Sequence, residues 1–196
     1  MDIFVRPGDR SDHYHTSNRG ACDGPLFLDT GDFERFLTLL YIANNSGHFV
    51  LRDIRADDIF SVPRSKVLVD ITAYCLLPDR YHIILRDREP GGMRHFLHKV
   101  GTAYCMYYNQ KYRHKGTVFA GTYRARRVTD RSRLYELVGR IHLYPSFDGN
   151  VDSGSDAKPD KERALDLASR YGYSSMRDYL GEARLQKAIL QMDAKI

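Results

Sequence analysis

The chain has 196 residues, a formal net charge of +5 and a mean hydropathy of −0.50. That length suits one main domain with an appendage, no run approaches the ~18 apolar residues of a membrane span, and the polar start with Asp2, Asp9 and Asp12 is unlike a signal peptide. Cys22, Cys75 and Cys105 are odd in number and match no metal spacing, and two of them sit in apolar patterns, which is expected of reduced thiols in a cytoplasmic protein.

In chain order, residues 12–20 form a short polar-alternating strand ending in a glycine turn. Phe33, Phe36, Leu37, Leu40 and Tyr41 recur at helical spacing, which predicts an amphipathic helix from Asp32 to about Asn44 with Thr30 as its N-cap. Arg52 to Arg64 is a charged connection, loop or edge strand. Val67–Leu77 and Tyr81–Leu85 flank the Pro78-Asp79 turn signal and read as antiparallel strands. Arg80 and His82, two apart at the start of the second strand, address one face. Taken alone, that pair is as much a solvated hairpin end as a site.

After the Pro90-Gly91-Gly92 breaker a long helix starts near Met93, with Met93, Phe96, Leu97, Val100, Tyr104, Tyr107 and Tyr108 as its buried stripe. From Pro90 to Thr129 there are eight Lys or Arg and no Asp or Glu. Interleaved tyrosines add stacking, so this tract suits a polyanion better than plain solvation. Gly116–Val128 reads as the last strand. Asp130 caps a helix with Leu134, Leu137, Val138 and Ile141 inward, ended by Pro145. Arg133, Glu136, Arg140 and Tyr144 fall on a second stripe. Residues 148–161 read as a flexible linker, and Glu162–Tyr171 and Met176–Met192 as helical. The domains expected are therefore 1–147, the linker 148–161, and a C-terminal helical segment 162–196.

Pro78-Asp-Arg-Tyr-His82 followed by Ile-Ile-Leu resembles the Pro-Asn-His-x-His-Leu-Leu segment of single-tyrosine HUH transposases, the REP-associated tyrosine transposases above all. The resemblance extends to residues 12–20 against Tyr-His-x-x-Asn-Arg-Gly, to Tyr104–Asn109 and Gly116–Tyr123, to Arg140-Ile-His-Leu-Tyr-Pro145 against Tyr-Ile-His-Leu-Asn-Pro, and to Tyr171–Gly181. It implies an α+β fold, a ferredoxin-like antiparallel sheet with helices packed on one face, plus the C-terminal extension.

In that family a tyrosine attacks a DNA phosphate, while two histidines and a polar side chain hold a divalent metal, Mg²⁺ or Mn²⁺. Here the first histidine position is Arg80, the nucleophile position is Arg140 and the third-ligand position is Tyr144. His82 alone of the four survives. A guanidinium has no lone pair for a metal, so no intact catalytic set, no metal and no cofactor are expected. The expected function is that of a domesticated, catalytically inactive transposase-like protein that binds single-stranded, hairpin or repeat DNA. It would be a cytoplasmic, nucleoid-associated protein of bacterial type with no membrane partner, either as a monomer or a homodimer. DNA contacts are expected from Arg19, Arg80, His82, Arg94, Lys99, Lys111, Arg113, Lys115, Arg124, Arg126, Arg127 and Arg140. The competing expectations are a nickase using Tyr144 as a displaced nucleophile, and an RNA-binding module of the same fold.

Overall fold

The computed structural model describes residues 12–47, 55–147 and 161–191. The polar start up to Ser11, residues 148–160 of the expected linker and the C-terminal residues from Met192 lie outside the described residues. Four strands, β1 (His13–Arg19), β2 (Val69–Leu77), β3 (Arg80–Asp87) and β4 (Arg124–Val128), form one antiparallel sheet in the order β2-β3-β1-β4. With α1 (Thr30–Ile42) between β1 and β2 and α2 (Gly92–Tyr112) between β3 and β4, this is the βαββαβ ferredoxin-like arrangement, and the class is α+β.

Alternation along the strands decides what each face carries. Tyr14, Tyr74, Leu76, Tyr81, Ile83 and Leu85 join the main core with Phe33, Phe36, Leu37 and Leu40 of α1 and Phe96, Leu97, Val100 and Tyr104 of α2. The opposite face carries a smaller apolar cluster. There Ala73, Cys75, Ile84 and Val128 meet Leu134, Val138 and Ile141 of α3 (Arg131–Leu143). So α1 and α2 share one face as expected, while α3 covers part of the other. Each fully buried Phe or Leu contributes ~1.5–3 kcal/mol, so the α1/α2 layer dominates the fold.

Several boundaries differ from those the sequence predicts. The N-cap of α1 is Asp29, not Thr30. The Asp29 side chain accepts from Asp32 N–H, and Asp32 Oδ2 accepts from the N–H groups of Leu28 and Asp29 at 2.7 and 3.3 Å. That reciprocal box leaves Thr30 as the first helical residue. The last strand begins at Arg124 rather than Gly116. Gly116 and Gly121 sit at φ +120° and +153°, and the chain between them meets the end of β1 through the Gly20–Phe119 bridge, the Ala120 N–H on Arg19 O and the Asn18 side chain on Gly121 O rather than through a continuous ladder. Residues 56–61 form a 3-10 turn. Asp130 caps α3 as expected, accepting from the N–H groups of Ser132 and Arg133.

The C-terminal segment supplies α4 (Lys161–Arg170) and α5 (Met176–Tyr179). The expected helix through Met192 stops at Tyr179, because Gly181 takes φ +85° and turns the chain. Leu185–Ile189 then forms a 3-10 turn. This segment lies along the outer edge of β2. Leu76 N–H donates to Tyr173 O, Ser175 N–H to Tyr74 O and Gln191 N–H to Ile71 O, which covers ladder groups an edge strand would leave open. Arg184, nearly buried, fastens it through Asp178, the Tyr74 hydroxyl and the carbonyls of Gly172 and Ser174.

Candidate nucleic-acid interface

The strand register brings the polar side chains of three strands onto the α3 face. Ser17 lies across from His82 on β3 and from Arg124 on β4, and His15 lies across from Ile84 and Arg126. The two-residue alternation therefore gathers His15, Ser17, Arg80, His82, Arg124 and Arg126 on one surface, beyond the end of the apolar patch under α3. A cavity of about 320 Å³ opens at the Arg80 end of that surface, lined among others by Ser17, Arg19, Arg80, His82, Gly121 and Arg124.

His82 is buried at 6% exposure. Its Nδ1 lies 3.1 Å from His15 Nε2, the two rings are stacked, and the Tyr144 ring meets it edge-on with centroids 4.5 Å apart. Its Nε2 is buried and has no hydrogen-bond partner among the described residues. Burial first, then the charges of His15, Arg80 and Arg140, push its pKa down to about 3, so the ring is neutral at physiological pH. Which of the paired nitrogens donates sets the tautomer. If His15 donates, His82 carries its hydrogen on Nε2; if His82 donates, Nε2 is an open acceptor.

Around this neutral ring the charge is positive. Arg80 is 18% exposed at the side chain and turns Nε and Nη2 onto Asp79 at 2.7–3.1 Å. Arg19 pairs with Asp23 at 2.7 Å. Arg124, Arg126 and Arg140 are exposed and make no ion pair among the described residues. Asp23 and Asp79 thus offset two of five arginines.

The metal of HUH chemistry does not fit these residues. His15 Nε2 is engaged with His82 Nδ1, Arg80 has no lone pair to give, and among the described residues no three His, Cys, Asp or Glu side chains converge on a metal position. Tyr144 is not on the exposed stripe the helical count predicts. It is 3% exposed, in the cluster under α3.

No protein-family model matches the sequence, and neither does any curated protein sequence. Among solved structures, the chain is similar to a REP-associated tyrosine transposase bound to a REP hairpin, at a TM-score of 0.55 over 95% of this chain and 90% of that one, with 12% sequence identity. The two share a fold.

The twelve side chains expected at DNA divide into groups. Arg19, Arg80, His82, Arg124, Arg126 and Arg140 gather on or beside the α3 face. Arg94, Arg113 and Lys115 are exposed on α2 or just beyond it. Lys99, Lys111 and Arg127 are each tied to partners within the fold. Lys99 Nζ donates to the carbonyls of Asn45 and Gly47, Lys111 to Asp29 and Asp32 at 2.7–2.8 Å, and Arg127 to the buried Asp12. The acid-free run is therefore not one continuous basic face, because its carboxylate partners come from far upstream.

Two histidines, the half-buried His15 and the buried His142, escaped the sequence argument. His15 carried a signal, its placement two residues from His13 and Ser17 on an alternating strand, but only the register sets it against His82. His142, 3% exposed, binds Ser175 Oγ at 2.7 Å and meets the Tyr179 ring. Burial, then Arg184, pushes its pKa down to about 4, and it lies with the C-terminal segment, serving the fold.

Proposed function

We propose that this protein is a catalytically inactive, transposase-like DNA-binding protein that holds single-stranded or hairpin DNA on the α3 face of its sheet. The observation that supports this best is the exchange of chemistry at one place. Arginines stand at the family positions of the first metal ligand and the nucleophile, around a histidine kept neutral by burial. The fold shared with a transposase whose structure contains a REP hairpin points the same way. A phosphotyrosine mechanism needs an accessible hydroxyl and an electrophilic metal in one geometry. Tyr144 is buried, and the residues around His82 repel a divalent cation, so a nickase built on Tyr144 finds no support. Binding then needs no divalent metal.

The contacts would be phosphate contacts first, since Arg124, Arg126 and Arg140 are exposed cations without acidic partners among the described residues. Hairpin-DNA affinity measured across a salt series tests this. Each of Arg124→Gln and Arg126→Gln should weaken binding and reduce the slope of log affinity against log salt by about 1. Lys111→Met should leave that slope unchanged. A slope indifferent to the β4 arginines would place the DNA elsewhere, and tighter binding to the RNA hairpin of the same sequence would make RNA the ligand.

A further inference from the structure

The cavity beside His82 is more specific than a general basic surface requires. Arg19, Arg80, Arg124 and Ser17 line it from three different elements: β1, the start of β3 and the start of β4. The fork of Arg80 is fixed by Asp79, which accepts from Nε and Nη2 and so sets the plane of the guanidinium. Gly121, at φ +153°, gives the rim a backbone conformation that a side chain rarely adopts, and its carbonyl accepts from Asn18 Nδ2 at 3.0 Å. Strand register and a tethered turn therefore hold the donors in place.

We propose that this cavity is a receptor for one phosphate ester group, held by Arg19, Arg80, Arg124 and the Ser17 hydroxyl against the His82 ring. The proposal deepens the DNA-binding function above and rests on it for the source of the phosphate. Asp79 and Asp23 offset Arg80 and Arg19, while Arg124 makes no ion pair among the described residues, and a phosphate has enough acceptor oxygens to meet Arg124, Ser17 and the donors that those carboxylates leave open. The cavity, about 320 Å³, has room for a phosphate with its attached sugar rather than a bare ion alone. The same anion would offset the arginine charges that bear on His82. The group held is either a strand-terminal phosphate or one phosphate within the backbone. No bond is made or broken.

Inorganic phosphate is the first probe, titrated into the full chain while the His82 imidazole nitrogens are followed by long-range ¹H–¹⁵N NMR. Saturable movement of the His82 signals, with the affinity reduced about tenfold or more in Arg124→Gln, supports the receptor; loss of one charged hydrogen bond has that size. Arg124 is exposed on the sheet edge, so this variant keeps the fold and is preferred to a change at the more buried Arg80 or His82, and Ser17→Ala should give a smaller loss. Single-stranded hexamers with a 5′-phosphate, a 3′-phosphate or neither then name the source. A preference of about tenfold for one end marks a terminal phosphate, and equal binding that still depends on Arg124 marks an internal one. His82 signals that stay still up to tens of millimolar phosphate overturn the proposal, and if hairpin DNA still binds through the β4 arginines, DNA binding itself stands. Phosphate seated at His82 in a protein that binds no DNA keeps the receptor and removes the DNA function.

Discussion

Acidification should destabilise this protein, because two histidines are folded in their neutral form. His82 and His142 have pKa values pushed from 6.5 to about 3 and about 4, first by burial and then by nearby cationic side chains. In the unfolded chain both take up a proton near pH 6.5, while in the fold neither does until the pH is far lower. Their contribution is therefore complete above pH 6.5 and is lost progressively as the pH falls toward 4 and 3. Between pH 7 and pH 5 each costs roughly 2 kcal/mol, so the pair removes about 4 kcal/mol. That is a large share of a typical 5–15 kcal/mol of stability. Asp29 is held low by Lys111, and in Asp32 the hydrogen bonds from Lys111, Leu28 and the tyrosines outweigh burial, so neither titrates in this window. Urea denaturation followed by circular dichroism at pH 7, 6 and 5 should show a falling midpoint at constant slope. His142→Gln preserves a donor for Ser175 and removes one titration, so the same pH change should cost that variant about 2 kcal/mol less. Equal pH dependence in wild type and variant would refute the assignment of His142 as a buried neutral base.

Lys111 ties the end of α2 to the start of α1, so Lys111→Met should lower stability by about 1–3 kcal/mol, because the fully buried Asp32 loses a cationic partner. A thermal melt checks it, with Arg113→Glu expected to melt like the wild type. Arg184→Met should cost about 3–5 kcal/mol by leaving the buried Asp178 uncompensated. Hydrogen exchange should then quicken across Tyr171–Gln191 before the sheet, and uniform exchange would show that this segment does not open on its own.

Much of the fold was legible because its signals are local. The Pro78-Asp79 turn between two apolar runs and the Asp130 cap give β2, β3 and α3 nearly to the residue. The misplaced features all depend on distant partners or on helix geometry at an end. Thr30 and Asp29 are both capping residues, and only the Asp32 side chain folding back selects Asp29. Lys111 sits in an acid-free run, yet its carboxylates belong to α1, some eighty residues earlier. Tyr144 keeps helical spacing from Arg140, but the chain tightens into a 3-10 turn at Tyr144–Ser146, which turns the ring inward onto His82. The site was half visible. Arg80 and His82 share a strand, while Arg19, Arg124 and Arg126 join them only through the pairing of β1 with β3 and β4.

The central claim is that this fold holds DNA and does not cut it, and one experiment addresses both halves. Labelled hairpin and single-stranded DNA are incubated with the protein in Mg²⁺, in Mn²⁺ and in EDTA, and each mixture is read on a native and a denaturing gel. The account predicts a complex of equal affinity in all three conditions, with no covalent protein–DNA adduct and no cleaved strand. An adduct that forms with metal and disappears in Tyr144→Phe would contradict it, as would binding that EDTA abolishes.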